Sequence, residues 1–171
     1  YYGAALAAGD FNSDGKTDLV VGAYGYGGNK GRVYLYTFND GVITGETTSD
    51  YFGCALISGD FNADGYIDLA VGASGYSTSA GRTYIFWGDN LSYPTGAASA
   101  DVIIQGEAAS DYFGSAMTTG DFNADGKIDL AVGAFGYSSQ TGRAYIFYNG
   151  SIITENASGA DIIITGEASS R

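Results

Sequence analysis

Residues 112–134 read YFGSAMTTGDFNADGKIDLAVGA, and the run recurs at 51–73 as YFGCALISGDFNADGYIDLAVGA and at 1–23 as YYGAALAAGDFNSDGKTDLVVGA. Each copy continues through a Gly-Tyr pair, a short polar stretch and a Gly-Arg pair at Gly31-Arg32, Gly81-Arg82 and Gly142-Arg143. An aromatic apolar run follows, then a segment ending in Gly-Glu. The units span 1–50, 51–111 and 112–171, and together they account for the whole chain, with no separate linker or second domain. Self-similarity at this period marks a repeat architecture, in which each unit buries its apolar faces against its neighbours.

Within the third unit, four short runs rich in Val, Ile, Tyr and Phe predict four strands. They are residues 112–120, Ile128–Ala134, Ala144–Tyr148 and Asp161–Thr165, called A to D. No window carries the periodicity of a long amphipathic helix. Four short antiparallel strands per unit predict an all-β chain of propeller blades. The units differ in length only between strands C and D. Unit one turns tightly there through Asn39-Asp40-Gly41, whereas the others insert about ten residues, which predicts an exposed hairpin tip.

Between strands A and B each unit repeats one nine-residue pattern. The copies are Asp10-x-Asn12-x-Asp14-Gly15-x-x-Asp18, Asp60-x-Asn62-x-Asp64-Gly65-x-x-Asp68 and Asp121-x-Asn123-x-Asp125-Gly126-x-x-Asp129. Calcium takes six to eight oxygen ligands, and oxygen side chains at positions 1, 3 and 5 with Gly at 6 can wrap it. Position 7 is Lys16, Tyr66 or Lys127, which predicts ligation through the backbone carbonyl. The Asp at position 9 closes the shell. Three carboxylates in one small loop repel one another unless a cation intervenes. Three calcium sites are therefore expected, one per loop, and they are preferred to magnesium because magnesium demands tighter octahedral geometry. The first half of an EF-hand loop looks similar, but position 12 here is Val21, Val71 or Val132 inside strand B, so the loop joins two strands.

Composition narrows the function further. The chain has no histidine, so His-based catalysis, His-ligated zinc and haem are excluded. Cys54 is the single cysteine, which leaves no intrachain disulfide. Nineteen acids against seven bases, a formal charge of −12, argue against nucleic acid as a partner. Nine of those acids are the loop aspartates, so three bound calcium ions would halve the charge. No apolar segment approaches the roughly 20 residues that span a bilayer. A first residue Tyr1 without initiator Met, and no leader-like stretch, make a processed product or a piece of a longer chain the expectation.

The order Tyr-Phe-Gly, Gly-Asp-Phe-Asn-x-Asp-Gly-x-x-Asp-Leu, Val-Gly-Ala resembles the FG-GAP repeat, the unit of the β-propeller at the head of integrin α chains. On this resemblance the "FG" falls on Tyr2-Gly3, Phe52-Gly53 and Phe113-Gly114, and the family's calcium positions fall on the loop residues named above. The resemblance implies a non-enzymatic, extracellular or cell-surface module for adhesion or ligand recognition, with structural calcium. It also implies a ligand side on the face carrying the B–C and D–A connections, opposite the calcium loops. Alternatives are a structural subunit of an extracellular filament or surface layer, and a lectin-like carbohydrate-binding propeller. Propellers typically have four to eight blades. Three need further blades, from a longer chain or from further copies, and those are the expected partners.

Smaller features complete the reading. Sequons at Asn90, Asn149 and Asn156 lie in the two long C–D connections, which makes a glycoprotein the expectation. Arg32, Arg82 and Arg143 open strand C while Glu46, Glu107 and Glu167 close strand D, which predicts repeated Arg–carboxylate ties within or between blades. Cys54 aligns with Ala4 and Ser115, so it reads as a small buried residue, not a nucleophile. Tyr24, Tyr26, Tyr76, Phe135 and Tyr137 sit in B–C loops as candidates for a binding surface.

Overall fold

Alternating small and β-branched side chains bounded by Gly and Asp set the strand limits in every repeat. The computed structural model describes residues 1–36, 40–88 and 96–167. The first sheet runs β1 (Ala5–Gly9), β2 (Asp18–Ala23), β3 (Arg32–Tyr36) and β4 (Gly41–Thr44). The second contains β5 (Phe52–Gly59), β6 (Asp68–Ala73), β7 (Arg82–Phe86) and β8 (Val102–Gln105). The third contains β9 (Phe113–Gly120), β10 (Asp129–Ala134), β11 (Arg143–Phe147) and β13 (Ile162–Thr165). Each is an open, antiparallel, four-stranded blade in which sequence neighbours pair. These are the strands that the sequence predicts, displaced at their ends by a residue or so.

The long C–D connection of unit three departs from a free hairpin tip. It forms β12 (Glu155–Asn156), which pairs in parallel with β8 of the preceding blade. Part of the corresponding connection in unit two, with Asn90, lies outside the described residues, as does Asn39 of the tight turn in unit one.

The cores lie between blades. Val33, Leu35 and Ile43 of the first blade pack with Phe52, Leu56, Val71 and Tyr84 of the second. Ile85, Val102 and Ile104 of the second pack with Phe113, Leu130, Val132, Tyr145 and Phe147 of the third. Phe52 and Phe113 are fully buried, each edge-on to a tyrosine, Tyr84 or Tyr145. Burying such a ring contributes about 2 kcal/mol. The Gly after each has positive φ, +84° at Gly53 and +82° at Gly114, and sits in a β-bulge that interrupts the register of β5 and β9. The bulge turns the glycine carbonyl onto the preceding blade. A Cβ on Gly22 or Gly72 would overlap the carbonyl oxygen of Gly53 or Gly114. That close approach explains the Gly of the first two Val-Gly-Ala runs.

A second contact between blades has no counterpart among the sequence expectations. Tyr26–Asn29, Tyr76–Ser79 and Tyr137–Gln140 are short turns containing consecutive residues in the left-handed region: Gly27-Gly28-Asn29, Ser77-Thr78-Ser79 and Ser138-Ser139-Gln140. Non-glycine residues seldom hold that conformation. Here the turn aims its carbonyls at the next connector: Ser49 and Tyr51 donate N–H to Gly28 and Asn29, and Ser110 and Tyr112 donate to Thr78 and Ser79. The neighbouring blade thus stabilises the strained backbone of the first two turns.

Candidate metal centres

The three A–B loops have one geometry. In the first, Asp10 Oδ1 accepts from Asp14 N at 3.0 Å and Oδ2 from Gly15 N at 2.9 Å. Asn12 Oδ1 accepts from Asp14 N and Asp14 Oδ1 from Lys16 N, both at 2.9 Å. In the second, Asp60 accepts from Asp64 N and Gly65 N, Asn62 from Asp64 N, and Asp64 from Tyr66 N. Asp121, Asn123 and Asp125 repeat the set with Asp125, Gly126 and Lys127 as donors. Ser13, Ala63 and Ala124 at position 4, and Gly15, Gly65 and Gly126 at position 6, all take positive φ. The loop is coiled so that its oxygens face its own N–H groups. Each carboxylate oxygen retains a lone pair, since an ionised carboxylate offers about four acceptor sites.

The position-9 aspartates do more than close a loop. Asp18, Asp68 and Asp129 are buried, with Oδ2 held by Phe11 N, Phe61 N and Phe122 N at the loop's start. Asp68 Oδ1 also accepts from Gly88 N, and Asp129 Oδ1 from Asn149 N, both in the C–D connection. The A–B and C–D connections are therefore tied together at one end of the blade. Burial, and then repulsion from Asp64 and Asp60, push the Asp68 carboxyl up to about 6. Burial and repulsion from Asp14 and Asp10 raise Asp18 in the same direction.

These residues suit a hard cation. Every side-chain donor is oxygen, which selects calcium or magnesium over zinc or copper. Among the described residues no three Asp, Glu or Cys side chains form a metal cage on their own. A bound ion would thus need the Asn oxygens and loop carbonyls as well as the carboxylates.

The Arg–carboxylate ties run between blades. Arg82 Nη1 lies 3.0 Å from Glu46 Oε1 of the preceding blade, and Tyr84 OH donates to the same oxygen at 2.7 Å. Arg143 and Tyr145 repeat this on Glu107 at 2.7 and 2.6 Å. The guanidinium groups of Arg32, Arg82 and Arg143 stack on Tyr26, Tyr76 and Tyr137, at 3.7, 3.6 and 3.5 Å from the ring centroids. Tyr76 and Tyr137 thus back the arginines of the two blade joints. Tyr24 is stacked on Tyr1 and meets Tyr51 edge-on, while Phe135, exposed, stacks on Tyr112. Phe135 and Tyr112 also border a cavity of about 510 Å³ on the B–C face, with Asp111 and Ser138.

Cys54 and Asn149 complete the placement. Cys54 is a free, half-buried thiol near Ser74 Oγ and the Gly114 carbonyl, and burial pushes its pKa up. Asn149 departs from the exposed position expected of it. It is buried, and its amide nitrogen donates to the carbonyl of Ile128 in its own blade and to that of Asp60 across the blade joint, which leaves Asn156 as the exposed sequon asparagine among the described residues.

Comparison with known proteins returns the FG-GAP repeat at residues 2–36 and the FG-GAP-like repeat at residues 60–132. The chain is also similar to a phosphatidylinositol-glycan-specific phospholipase D of Bos taurus, 39% identical over 158 residues, covering 85% of this chain. It spans 13% of that protein's length.

Proposed function

The chain belongs to the FG-GAP repeat family, and from that premise we propose that it is a calcium-stabilised propeller segment used outside the cell for adhesion or ligand recognition. The observation that carries the reading is the threefold repetition of one coiled, all-oxygen loop at the A–B hairpins. The proposed holders are Asp10, Asn12, Asp14, the Lys16 carbonyl and Asp18 in the first loop. In the second they are Asp60, Asn62, Asp64, the Tyr66 carbonyl and Asp68; in the third, Asp121, Asn123, Asp125, the Lys127 carbonyl and Asp129. A calcium ion there supplies charge neutralisation and cross-links the two ends of the loop. The chain's own part is structural: the position-9 aspartates already tie the loop to the C–D connection.

An extracellular setting agrees with exposed Asn156, and no helix among the described residues is long and apolar enough to cross a membrane. The ligand face is assigned to the B–C side, around Phe135 and Tyr112. The segment is assigned a binding role, not a catalytic one. In a longer enzyme of the phospholipase kind it would position the catalytic part, since it has no histidine and its one thiol is pushed towards the protonated form by burial.

Thermal unfolding with and without EGTA tests the calcium reading. The melting temperature is expected to fall on chelation and to recover with added calcium more fully than with equal magnesium. A melting temperature indifferent to EGTA would sink it. Hydrolysis of a phosphatidylinositol-glycan substrate by this chain alone would overturn the non-catalytic assignment.

A further inference from the structure

Asn149 grips two neighbouring metal loops, with its side chain and its backbone at once. Its amide nitrogen donates to the Asp60 carbonyl at 3.0 Å and to the Ile128 carbonyl at 3.2 Å, while its backbone N–H donates to Asp129 Oδ1 at 2.9 Å. The Asp60 carbonyl shares a peptide plane with the Phe61 N–H, which donates to Asp68 Oδ2 at 2.7 Å. Asp68 and Asp129, the position-9 aspartates of the second and third loops, are therefore joined by an unbroken run of hydrogen bonds through one peptide and one asparagine. Phe61, Asp68, Asp129 and Asn149 are all buried, which makes these bonds stronger than they would be in water.

The joint between the first and second loops lacks this run. Gly88 holds the place of Asn149, twenty residues after the position-9 aspartate, and its N–H likewise donates to Asp68 Oδ1 at 2.8 Å. It has no side chain with which to reach the Asp10 carbonyl. A Cβ there would lie 2.4 Å from the Ile67 carbonyl oxygen, so the backbone leaves no room for one. What the two joints share is apolar: Phe11 and Ile67 close over Gly9, and Phe61 and Ile128 close over Gly59.

We propose, resting on the calcium reading of these loops, that ion uptake is coupled between the second and third loops through Asn149 and is nearly independent at the first. Residues 63–66 of the second loop are exposed, and an ion held by Asp60 and Asp68 fixes the peptide between Asp60 and Phe61 that Asn149 grips. With that peptide fixed, Asn149 steadies the Ile128 carbonyl and Asp129. The third loop then loses less conformational freedom on taking its own ion. Linkage makes the effect reciprocal. Charge works in the opposite direction, since a filled loop is a less negative neighbour than an empty one and attracts the next ion less. A tighter second step therefore marks the hydrogen-bonded path, and a looser one marks charge.

Equilibrium dialysis against labelled calcium at about 0.15 M salt, on chains reduced to two loops or to one, resolves the sites. Asp14→Ala leaves the second and third loops. Its second ion should bind about fivefold or more tightly than the single-loop chains Asp14→Ala/Asp64→Ala and Asp14→Ala/Asp125→Ala predict. Asp125→Ala leaves the first and second loops, which should fill as the sum of their single-loop chains to within about twofold. Asn149→Ala added to the Asp14→Ala chain should still take up two ions but lose the gain. If that variant does not fold, the two two-loop chains, both with Asn149 intact, decide the matter by themselves. Independent or mutually weakened uptake in the Asp14→Ala chain, or a gain that survives Asn149→Ala, would overturn the coupling and leave the calcium reading standing. No saturable uptake by wild type would bring down both.

Discussion

Glu46 shows how much one side chain can hold. One of its oxygens receives both Arg82 Nη1 and Tyr84 OH from the next blade, at a position about a quarter exposed. Glu46→Ala leaves a guanidinium and a buried phenol short of an acceptor, and should cost about 1–3 kcal/mol in urea unfolding. The matching change at exposed Glu167 should alter the stability of the dilute chain by less than about 0.5 kcal/mol. Equal losses at the two positions would contradict the interblade tie. Cys54 gives a chemical check. Burial raises its folded pKa, so at pH 8 the folded chain holds less thiolate than the unfolded one. Because the thiolate is the reacting species, alkylation should run about tenfold or more slower in buffer than in urea. Equal rates would refute the buried-thiol reading.

The elements were legible where a residue type has one physical reason to stand where it does. Asp-Gly in the A–B loops and the β-branched runs beside them place every blade strand, and the repeat places the loops in register. The left-handed turns were not legible. Ser77-Thr78-Ser79 and Ser138-Ser139-Gln140 carry no local preference for positive φ; the next blade's connector bonds the first of these turns, and the second holds the same shape with its own local hydrogen bonds. The ownership of the Arg–Glu ties also stayed open, because Glu46 is near Arg32 in sequence and reaches Arg82 only through blade stacking. Asn149 read as a surface residue because its buried contact, with Asp60, is remote in the chain. At this scale, Gly72→Ala and Gly133→Ala form a matched pair. The first drives a methyl into the Gly114 carbonyl and should cost about 1–3 kcal/mol. The second, whose methyl would stand 3.6 Å from Ala116 of its own blade, should be neutral to within about 0.5 kcal/mol. Chemical denaturation of both variants checks this, and equal costs would contradict the blade spacing.

Across the whole molecule, hydrophobic burial runs along the row of blades and stops at its two outer faces. The loops form a second row, at one end of each sheet, where nine aspartates concentrate nearly half of the chain's acids. Those charges raise the energy of the row through mutual repulsion, which adds to burial in the upward displacement of Asp18 and Asp68, and the calcium ion proposed for each loop would remove it. Equilibrium dialysis against labelled calcium tests that account most directly. Wild type should take up three ions per chain, and Asp64→Ala, which removes one exposed loop oxygen set and leaves the buried Asp68 staple in place, should take up two. No saturable uptake, or three ions retained by the Asp64→Ala chain, would contradict it.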